Sequence, residues 1–318
     1  MFPRIPLLLV PLFLIAQSRA ADNGGEAFTD PAKAGPDFAF QGEYAGQGCA
    51  AQVIAEGGGK FRIVGFTPGL PGTSSEVEKK AEGPAEMAGG KVVFDTPDWK
   101  GEIVDGVLTG KNQDGNSYRL TKTERKSPTL GAKPPEGAVV LFDGSSVEQW
   151  DGGKLTPDGF LAMGVKSKKS FQSGKLHIEF RAPFMPQARG QGRGNSGVYL
   201  QDRYEVQVLD SFGLKGENNE CGGIYSIAKP KVNMAFPPLS WQTYDIEFEA
   251  AEYDASGTKS KPALITVRHN GVLIHDRVEV SHGTTAAGRK EGADSGPIQL
   301  QNHGNPVAFR NIWFVPKN

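Results

Sequence analysis

Apolar and polar residues alternate along much of the chain, which predicts short β-strands. The segments Lys175–Arg181 and Tyr244–Glu249 show the pattern most clearly. Strand side chains point alternately to two faces, so each segment has one apolar face and one polar face. Asp105-Gly106 and Asn270-Gly271 stand between such segments and are typical of two-residue hairpin turns. With no convincing helical pattern, residues 138–318 are predicted to form a two-sheet β-sandwich of jelly-roll type.

The same pattern divides the chain into units. Short strand-like runs over residues 38–123 predict a small β-domain, whose role the sequence leaves open. The predicted strands are Phe38–Tyr44, Ala51–Ile54, Lys60–Phe66, Lys91–Asp95, Trp99–Ile103, Val107–Thr109 and Ser117–Thr121. Residues 124–137 are charged and proline-rich, which is typical of a linker between domains. Residues 21–37 are polar or small and are predicted to form a loose N-terminal arm.

Residues 1–20 are predicted to be a signal peptide. Arg4 supplies a positive charge, Leu7 to Ala16 form a short apolar run, and Ser18-Arg19-Ala20 offers small residues for cleavage. The apolar run is too short to span a bilayer and is interrupted by Pro11. We therefore expect an exported protein, periplasmic or extracellular, that is not bound to the membrane after cleavage.

Composition narrows the functional classes. The 35 basic and 36 acidic residues nearly cancel, which removes the electrostatic case for binding nucleic acid or an anionic membrane. Glycine supplies 42 of 318 residues, which favours a turn-rich β-protein. Cys49 and Cys221 could form one disulfide in an exported chain, but they fall in different predicted domains, which favours unpaired, buried thiols. The five histidines lack the spacing of a structural zinc site.

The segment from Gly194 to Ser211 holds the most promising polar residues. It predicts two strands joined by a turn at Gln201-Asp202. In the second strand Glu205 and Gln207 face opposite to the valines, and Arg203 has the same parity. Asp210 has the wrong parity for this row unless a bulge turns it. Such a row can bind a polyhydroxylated ligand, or it can be an ordinary solvated outer face.

Two further segments add candidates. Gln299, Gln301 and His303 share parity at the end of a strand, which suggests a surface that hydrogen-bonds sugar hydroxyls, or an exposed hairpin end. Glu220 follows a polar loop and offers another carboxylate, or a plain solvated loop residue.

Several motifs in the second unit resemble the 3-keto-disaccharide hydrolase domain family. The resemblance covers roughly residues 136–316 and implies a concanavalin-like jelly roll that cleaves 3-keto-glycosides. Two residues within the matching motifs, Asn195 and Tyr225, join Gln301 as candidate substrate-binding residues. The motifs are Asn195-Ser-Gly-Val-Tyr-Leu, Arg203-Tyr-Glu-Val-Gln-Val-Leu-Asp-Ser, Glu220-Cys-Gly-Gly-Ile-Tyr, Pro237-Pro-Leu-Ser-Trp-Gln-Thr-Tyr-Asp, Gly296-Pro-Ile-Gln-Leu-Gln-Asn-His-Gly-Asn-Pro and Phe309-Arg-Asn-Ile-Trp.

The resemblance also suggests a mechanism. A carbonyl at sugar C3 acidifies the hydrogen on C2, so a base can remove it and expel the C1 substituent, after which water adds. This route needs a base, a donor to the enolate and an acid. Glu205 or His303 is the candidate base, and Arg203 or Gln207 the enolate donor. The remaining role, orienting or protonating, falls to Asp210 or Glu220.

No spacing requires a cofactor, although a divalent metal that grips the keto-diol is possible. Two alternatives stay open. The first is a non-catalytic, carbohydrate-binding jelly roll. The second is a β-glucanase-like hydrolase, since residues 205–210 resemble its Glu-x-Asp-x-x-Glu strand. Gln207 and Asp210 replace the second and third acids of that motif, which disfavours a retaining mechanism.

Overall fold

The protein is almost entirely β-structure, as predicted. The computed structural model describes residues 25–317. The predicted signal peptide, residues 1–20, lies outside the described residues. The described chain forms an eight-stranded barrel followed by a jelly-roll sandwich, each built around its own apolar core.

The first unit is a closed antiparallel barrel in which each strand pairs with the next. It closes because the first strand also pairs with the eighth. Its interior is filled by aromatic and aliphatic side chains, among them Tyr44, Phe61 and Trp99. The alternation pattern predicted most of the strands but not their closure. The strands are β1 (Gly42–Gly46), β2 (Cys49–Gly57), β3 (Lys60–Thr67), β4 (Glu78–Ala88), β5 (Lys91–Asp95), β6 (Trp99–Val104), β7 (Val107–Asn112) and β8 (Ser117–Thr123).

The segment before the barrel differs from the sequence-based expectation. A 3-10 turn spans Pro31–Lys33 and a short helix, α1, spans Pro36–Phe40, where a strand was predicted from Phe38. Pro36 occupies the first turn of α1, a position that proline favours. In the arm that was predicted to be loose, the backbone of Phe28 instead pairs with Phe184 of the sandwich.

The second unit is the predicted jelly-roll sandwich of two packed sheets. The five-stranded sheet has the order β10 (Trp150–Asp151), β12 (Val165–Phe171), β21 (Gly296–Leu300), β14 (Ser196–Leu200) and β15 (Tyr204–Val208). The seven-stranded sheet contains β11 (Leu161–Ala162), β22 (Ala308–Pro316), β13 (Gly174–Arg181), β16 (Gln242–Glu249), β19 (Ala263–His269) and β20 (Val272–Val280), with β9 (Val139–Phe142) paired to β22. A small ribbon joins β17 (Glu252–Tyr253) and β18 (Lys259–Lys261), and a 3-10 turn spans Gly190–Gly192.

Apolar residues from the inner faces of both sheets make the core, and tight turns set the register of the hairpins. Val198 and Val206 of one sheet and Ile178 and Ile246 of the other are at most 1% exposed. The predicted turn at Asn270-Gly271 is present, with φ of 50° and 80°. Both values are positive, which matches the right-handed twist of the flanking strands. The predicted turns at Asp105-Gly106 and Gln201-Asp202 have the same geometry.

The segment predicted as a linker lies against the outer face of the seven-stranded sheet. Thr129 donates to Asp245 Oδ2 (2.7 Å), and the Gly131 N–H donates to Glu179 Oε1 (2.5 Å). His177, which is fully buried, lies between these two carboxylates, with Nδ1 2.6 Å from Asp245 Oδ1. Burial opposes the charge on His177, but its two carboxylate partners outweigh burial and raise its pKa. The segment thus covers a buried cluster of paired charges.

Both cysteines are free, as expected. Cys221 is buried, but Cys49, which was also expected to be buried, is half-exposed at the end of the β1–β2 hairpin. Burial raises the pKa of both thiols.

Within residues 25–317 no helix is long and apolar enough to cross a bilayer.

Candidate functional site

The strongest concentration of polar side chains lies on the outer face of the five-stranded sheet. In the β14–β15 hairpin, Tyr199 pairs with Glu205 and Gly197 pairs with Gln207. All four residues point away from the core, because the alternate positions Val198 and Val206 point into it. The face predicted from parity is therefore polar, as expected.

Glu205 is the central residue of this face and is only 2% exposed. Tyr199 donates its hydroxyl hydrogen to Glu205 Oε2 (2.8 Å). The other carboxylate oxygen lies over Gly197, where any Cβ would collide with it. Burial raises the pKa of Glu205 to about 7, although the hydrogen bond from Tyr199 acts in the opposite direction. The carboxyl group is thus poised to exchange a proton near neutral pH.

Tyr199 connects Glu205 to the residues around it. Gln301 Nε2 donates to the Tyr199 hydroxyl (3.1 Å), and the Thr285 carbonyl is an alternative acceptor for the phenolic hydrogen (3.0 Å). Burial, followed by the nearby Glu205 charge, raises the pKa of Tyr199 far above its usual value. Tyr199 therefore stays protonated and acts as a hydrogen-bond donor. The sequence reasoning did not single it out, although its parity matched that of Glu205 across the hairpin.

Side-chain amides lie on the same face as the Glu205 carboxylate. Gln207 Nε2 and Asn195 Nδ2 both donate to Gln191 Oε1 at 3.0 Å. The amide oxygens of Gln207, Asn195 and Gln299 are buried and have no partner among the described residues. Buried oxygens without partners are uncommon in folded proteins. Each of these oxygens can accept a hydrogen bond from water or from a ligand hydroxyl.

Asp202 and Lys166 extend the site and were also missed by the sequence reasoning. Asp202 is 2% exposed, and its Oδ2 accepts a hydrogen bond from Lys166 Nζ (2.6 Å). Its other oxygen is buried without a partner among the described residues. Lys166 lies opposite Gln299 in the sheet. A second, charge-paired carboxylate thus belongs to the same face.

Arg203 does not take the role that its parity suggested. Its guanidinium donates to the carbonyls of Lys290 (2.7 Å) and Asp294 (2.8 Å) and to the side chains of Gln201 and Asp294. All three nitrogens are thereby bound within the protein. Arg203 holds the segment 284–294, part of which covers the site through Thr285. The expectation that Arg203 contacts substrate is not supported by this arrangement.

Asp210 and Glu220 also lie in other surroundings. Asp210 accepts a hydrogen bond from Arg193 Nε (2.7 Å) and from the Phe212 N–H (3.3 Å). Glu220 Oε2 accepts from the backbone N–H groups of Gly216 (2.6 Å) and Glu217 (3.0 Å) and closes its own loop. Neither carboxylate is hydrogen-bonded to the polar face around Glu205.

The remaining candidates lie at the margin of the site. Tyr225 is half-buried, and its N–H donates to the Glu205 carbonyl (3.1 Å). Gln301 is half-buried and contacts Tyr199. His303 is exposed and lies past the end of β21 at Leu300, so the parity argument does not reach it. Gln301 and Tyr225 thus join the site that Glu205, Gln207 and Asn195 form.

Residues 25–317 contain no group of three His, Cys, Asp or Glu side chains arranged to hold a metal ion.

Comparison with known proteins identifies the family. The family model described as a 3-keto-alpha-glucoside-1,2-lyase-like domain matches residues 137–315. The chain belongs to this family. The match covers the sandwich with its polar face and leaves out the barrel.

Solved structures of similar proteins come from Parabacteroides distasonis. One proposed glycosyl hydrolase is 31% identical with a TM-score of 0.52, over 57% of this chain and 85% of that chain. A second is 16% identical with a TM-score of 0.40, over 57% and 95% of the two chains. A third is 20% identical with a TM-score of 0.40, over 57% and 99%. No curated protein sequence matches the chain.

Proposed function

We propose that this protein is an exported carbohydrate-active enzyme that cleaves 3-keto-glycosides by removing the C2 proton. The family description names a lyase-like domain for 3-keto-alpha-glucosides, and the 31% identical relative is a proposed glycosyl hydrolase. Export rests on the signal peptide predicted over residues 1–20. The keto-sugar substrate and the elimination route are the specific parts of the proposal.

One observation carries it: the nearly buried carboxyl group of Glu205, whose pKa is about 7. A general base works best when its pKa lies near the working pH, and burial strengthens its attraction for a proton. Of the two candidate bases, Glu205 lies within the polar face, whereas His303 is exposed beyond the strand. Glu205 is therefore the base in the proposed mechanism.

The reaction proceeds in two stages. Glu205 takes the C2 proton, the C2–H electron pair forms the enolate, and the negative charge rests on the C3 oxygen. The enolate then collapses, the C1–O bond breaks, and the departing alkoxide takes the proton that Glu205 removed, which gives the free alcohol and a C1–C2 double bond. Water next adds its oxygen to C1 and a proton to C2, which restores the 3-keto sugar and completes a net hydrolysis.

The other polar groups bind and orient the sugar. The unpartnered oxygens of Gln207, Asn195 and Gln299 accept hydrogen bonds from sugar hydroxyls. Tyr199 fixes the orientation of the Glu205 carboxylate. Gln207 also remains a candidate donor to the enolate, since Arg203 is fully engaged elsewhere.

The test compares a 3-keto-α-glucoside with the same glucoside before oxidation, and follows products by NMR. We expect turnover of the keto sugar alone. When the substrate carries deuterium at C2, that deuterium should be lost to solvent water. Glu205→Gln should reduce turnover by about 10²–10⁴-fold. Glu247→Gln, the same change at an exposed residue of the seven-stranded sheet, should keep turnover near the wild-type rate.

Three outcomes would contradict the proposal. Binding of the keto sugar without turnover would identify a carbohydrate-binding module. Hydrolysis of the unoxidised glucoside would identify a conventional glycosidase. Full activity in Glu205→Gln would remove Glu205 from the mechanism.

A further inference from the structure

One loop joins the barrel to the polar face of the sandwich. It leaves β13 after Arg181 and enters β14 at Ser196, and near its start Phe184 is fully buried in the apolar core of the barrel. The Phe184 ring lies 5.2 Å from that of Phe38 and 6.1 Å from that of Phe28. Its backbone forms two hydrogen bonds of 2.9 Å with Phe28. The sandwich thus contributes a ring to the barrel core.

The middle of the loop is fastened to strand β2 of the barrel by two arginines. Arg189 Nη2 donates to the Glu56 carbonyl (2.9 Å), and Arg193 Nη1 donates to the Ala55 carbonyl (3.2 Å). Arg193 is 6% exposed and also donates through Nε to Asp210 of the sandwich. A single buried guanidinium therefore connects the two units and the loop.

Between these arginines, Gln191 reaches the polar face. Its Oε1 accepts hydrogen bonds from both Gln207 and Asn195, and its Nε2 donates to the Asn219 carbonyl (2.7 Å). The Asn195 N–H is itself fixed by Asn305 Oδ1 (2.8 Å). The amide oxygens of Gln207 and Asn195 are the ones left without partners. Their orientation therefore depends on where the loop holds Gln191.

We propose that the barrel contributes to the active site. It fixes the position of the 184–195 loop, so that Gln191 orients the Gln207 and Asn195 amides toward the substrate. Arg193 is the principal positioning residue and Arg189 the second. The inference rests on the proposed function for its catalytic consequence, and it gives the barrel a role. Fixing a loop at several points before substrate arrives lowers the entropic cost of forming the productive geometry.

Arg193→Lys in the full-length protein tests the proposal, with Arg62→Lys as the matched control. Lysine keeps a positive charge for Asp210 but lacks the fork that reaches Asp210 and Ala55 together. Arg62 makes an equivalent contact between the two units, since its Nη1 donates to the Gly213 carbonyl (3.0 Å), but its hydrogen bonds go to Glu82 and Gly213 and not to the loop. Arg189→Met, at an exposed side chain, serves as a second variant that leaves the buried ion pair intact.

Hydrogen exchange measures positioning without any substrate. We expect faster exchange in peptides covering 186–195 and 204–208 for Arg193→Lys and Arg189→Met, and wild-type exchange there for Arg62→Lys. Equal exchange in the wild type and both loop variants would overturn the proposal. So would the same increase in the Arg62→Lys control.

Kinetics measure the catalytic consequence through a double-mutant cycle with Gln191→Ala. Introduced alone into the wild-type protein, Arg193→Lys should lower kcat/KM by about ten-fold. In the Gln191→Ala background it should cost about two-fold or less, because both changes act through the same amide. Full additivity would overturn the route through Gln191. Altered exchange in a protein that turns over no keto sugar would instead refute the proposed function and leave the positioning inference standing.

Discussion

Replacing Tyr199 with phenylalanine is expected to raise the pKa of Glu205 further. The phenol donates a 2.8 Å hydrogen bond to the ionised carboxylate, and that bond lowers the pKa against the effect of burial. A hydrogen bond to a charged group is worth about 1.5–3 kcal/mol, and one pKa unit corresponds to about 1.4 kcal/mol. Because Tyr199 shares its hydrogen with the Thr285 carbonyl, we take the lower end, a rise of about one unit.

The assay is the pH dependence of kcat/KM on a 3-keto-glucoside. Catalysis requires the ionised base, so kcat/KM rises with pH through the pKa of Glu205 in the free enzyme. The wild-type midpoint should lie near pH 7. In Tyr199→Phe it should lie about one unit higher, so that activity at neutral pH falls about five-fold and recovers in alkali.

Tyr118→Phe, the same change in strand β8 of the barrel, is the matched control, because the Tyr118 hydroxyl donates to the Lys100 carbonyl (3.4 Å) and not to the polar face. A carbon-13 NMR titration of the glutamate carboxyls would give the same pKa without turnover. An unchanged or lowered midpoint in Tyr199→Phe would refute the role given to this hydrogen bond. A wild-type profile with no ionisation near pH 7 would refute the assignment of Glu205 as the base.

Three other changes test the structure more widely. Gly197→Ala places a methyl group against Glu205 Oε1 and should lower kcat/KM by about 10²-fold in steady-state kinetics. Gly283→Ala is the control, because a Cβ at that position meets only ordinary van der Waals contacts. Equal values of kcat/KM in the wild type and Gly197→Ala would contradict the close approach of Glu205 to Gly197. Burial opposes the charge on Glu179, but its partners, led by His177 and Asn311, outweigh burial and lower its pKa to about 2. The contribution of Glu179 to stability, up to about 3 kcal/mol, is present above pH 4.5 and lost as the pH falls toward 2. Urea unfolding at several pH values should therefore show a weaker acid dependence in Glu179→Gln, and an unchanged slope would contradict this. Arg125→Met removes the two hydrogen bonds, of 2.6 Å and 2.7 Å, that Arg125 donates to the buried Glu43 carboxylate. It should lower the free energy of unfolding by about 3–5 kcal/mol, and adding Glu43→Gln should restore much of this loss. Thermal unfolding of the single and double variants measures both effects.

Local patterns predicted those features that local physics determines. Asn270-Gly271 and Asp105-Gly106 were predicted as hairpin turns because few other residues tolerate two successive positive φ angles. Glu205 and Gln207 were placed on one face because they belong to a single regular strand. In both cases the interactions that decide the outcome span only a few residues.

Parity fails where a strand stops or a side chain is long. His303 shares the parity of Gln301, but β21 ends at Leu300, so the alternation no longer applies to it. Arg203 lies next to a tight turn, and its long side chain reaches sideways to residues 290–294. Asp202 is itself a turn residue, and parity makes no prediction for a residue outside a strand.

Long-range features were beyond a local pattern. Closure of the barrel depends on the pairing of β1 with β8, which are far apart in the chain. Strand β4 was not predicted because its sequence, Glu78–Ala88, carries few of the branched or aromatic residues that strands favour. The contact of Gln191 with Gln207 depends on a loop whose position the barrel fixes.

The ring of Phe184 has a practical consequence for anyone who trims the protein. A fragment starting at residue 137, as the family match alone would suggest, loses the cover over Phe184 and over Phe212, which packs on Ile54 and Val64. Each aromatic side chain buries about 150–250 Å², worth on the order of 4 kcal/mol. Such a fragment would expose the apolar rings of Phe184 and Phe212 to solvent. We therefore expect it to aggregate and precipitate during purification, while the intact chain stays in solution.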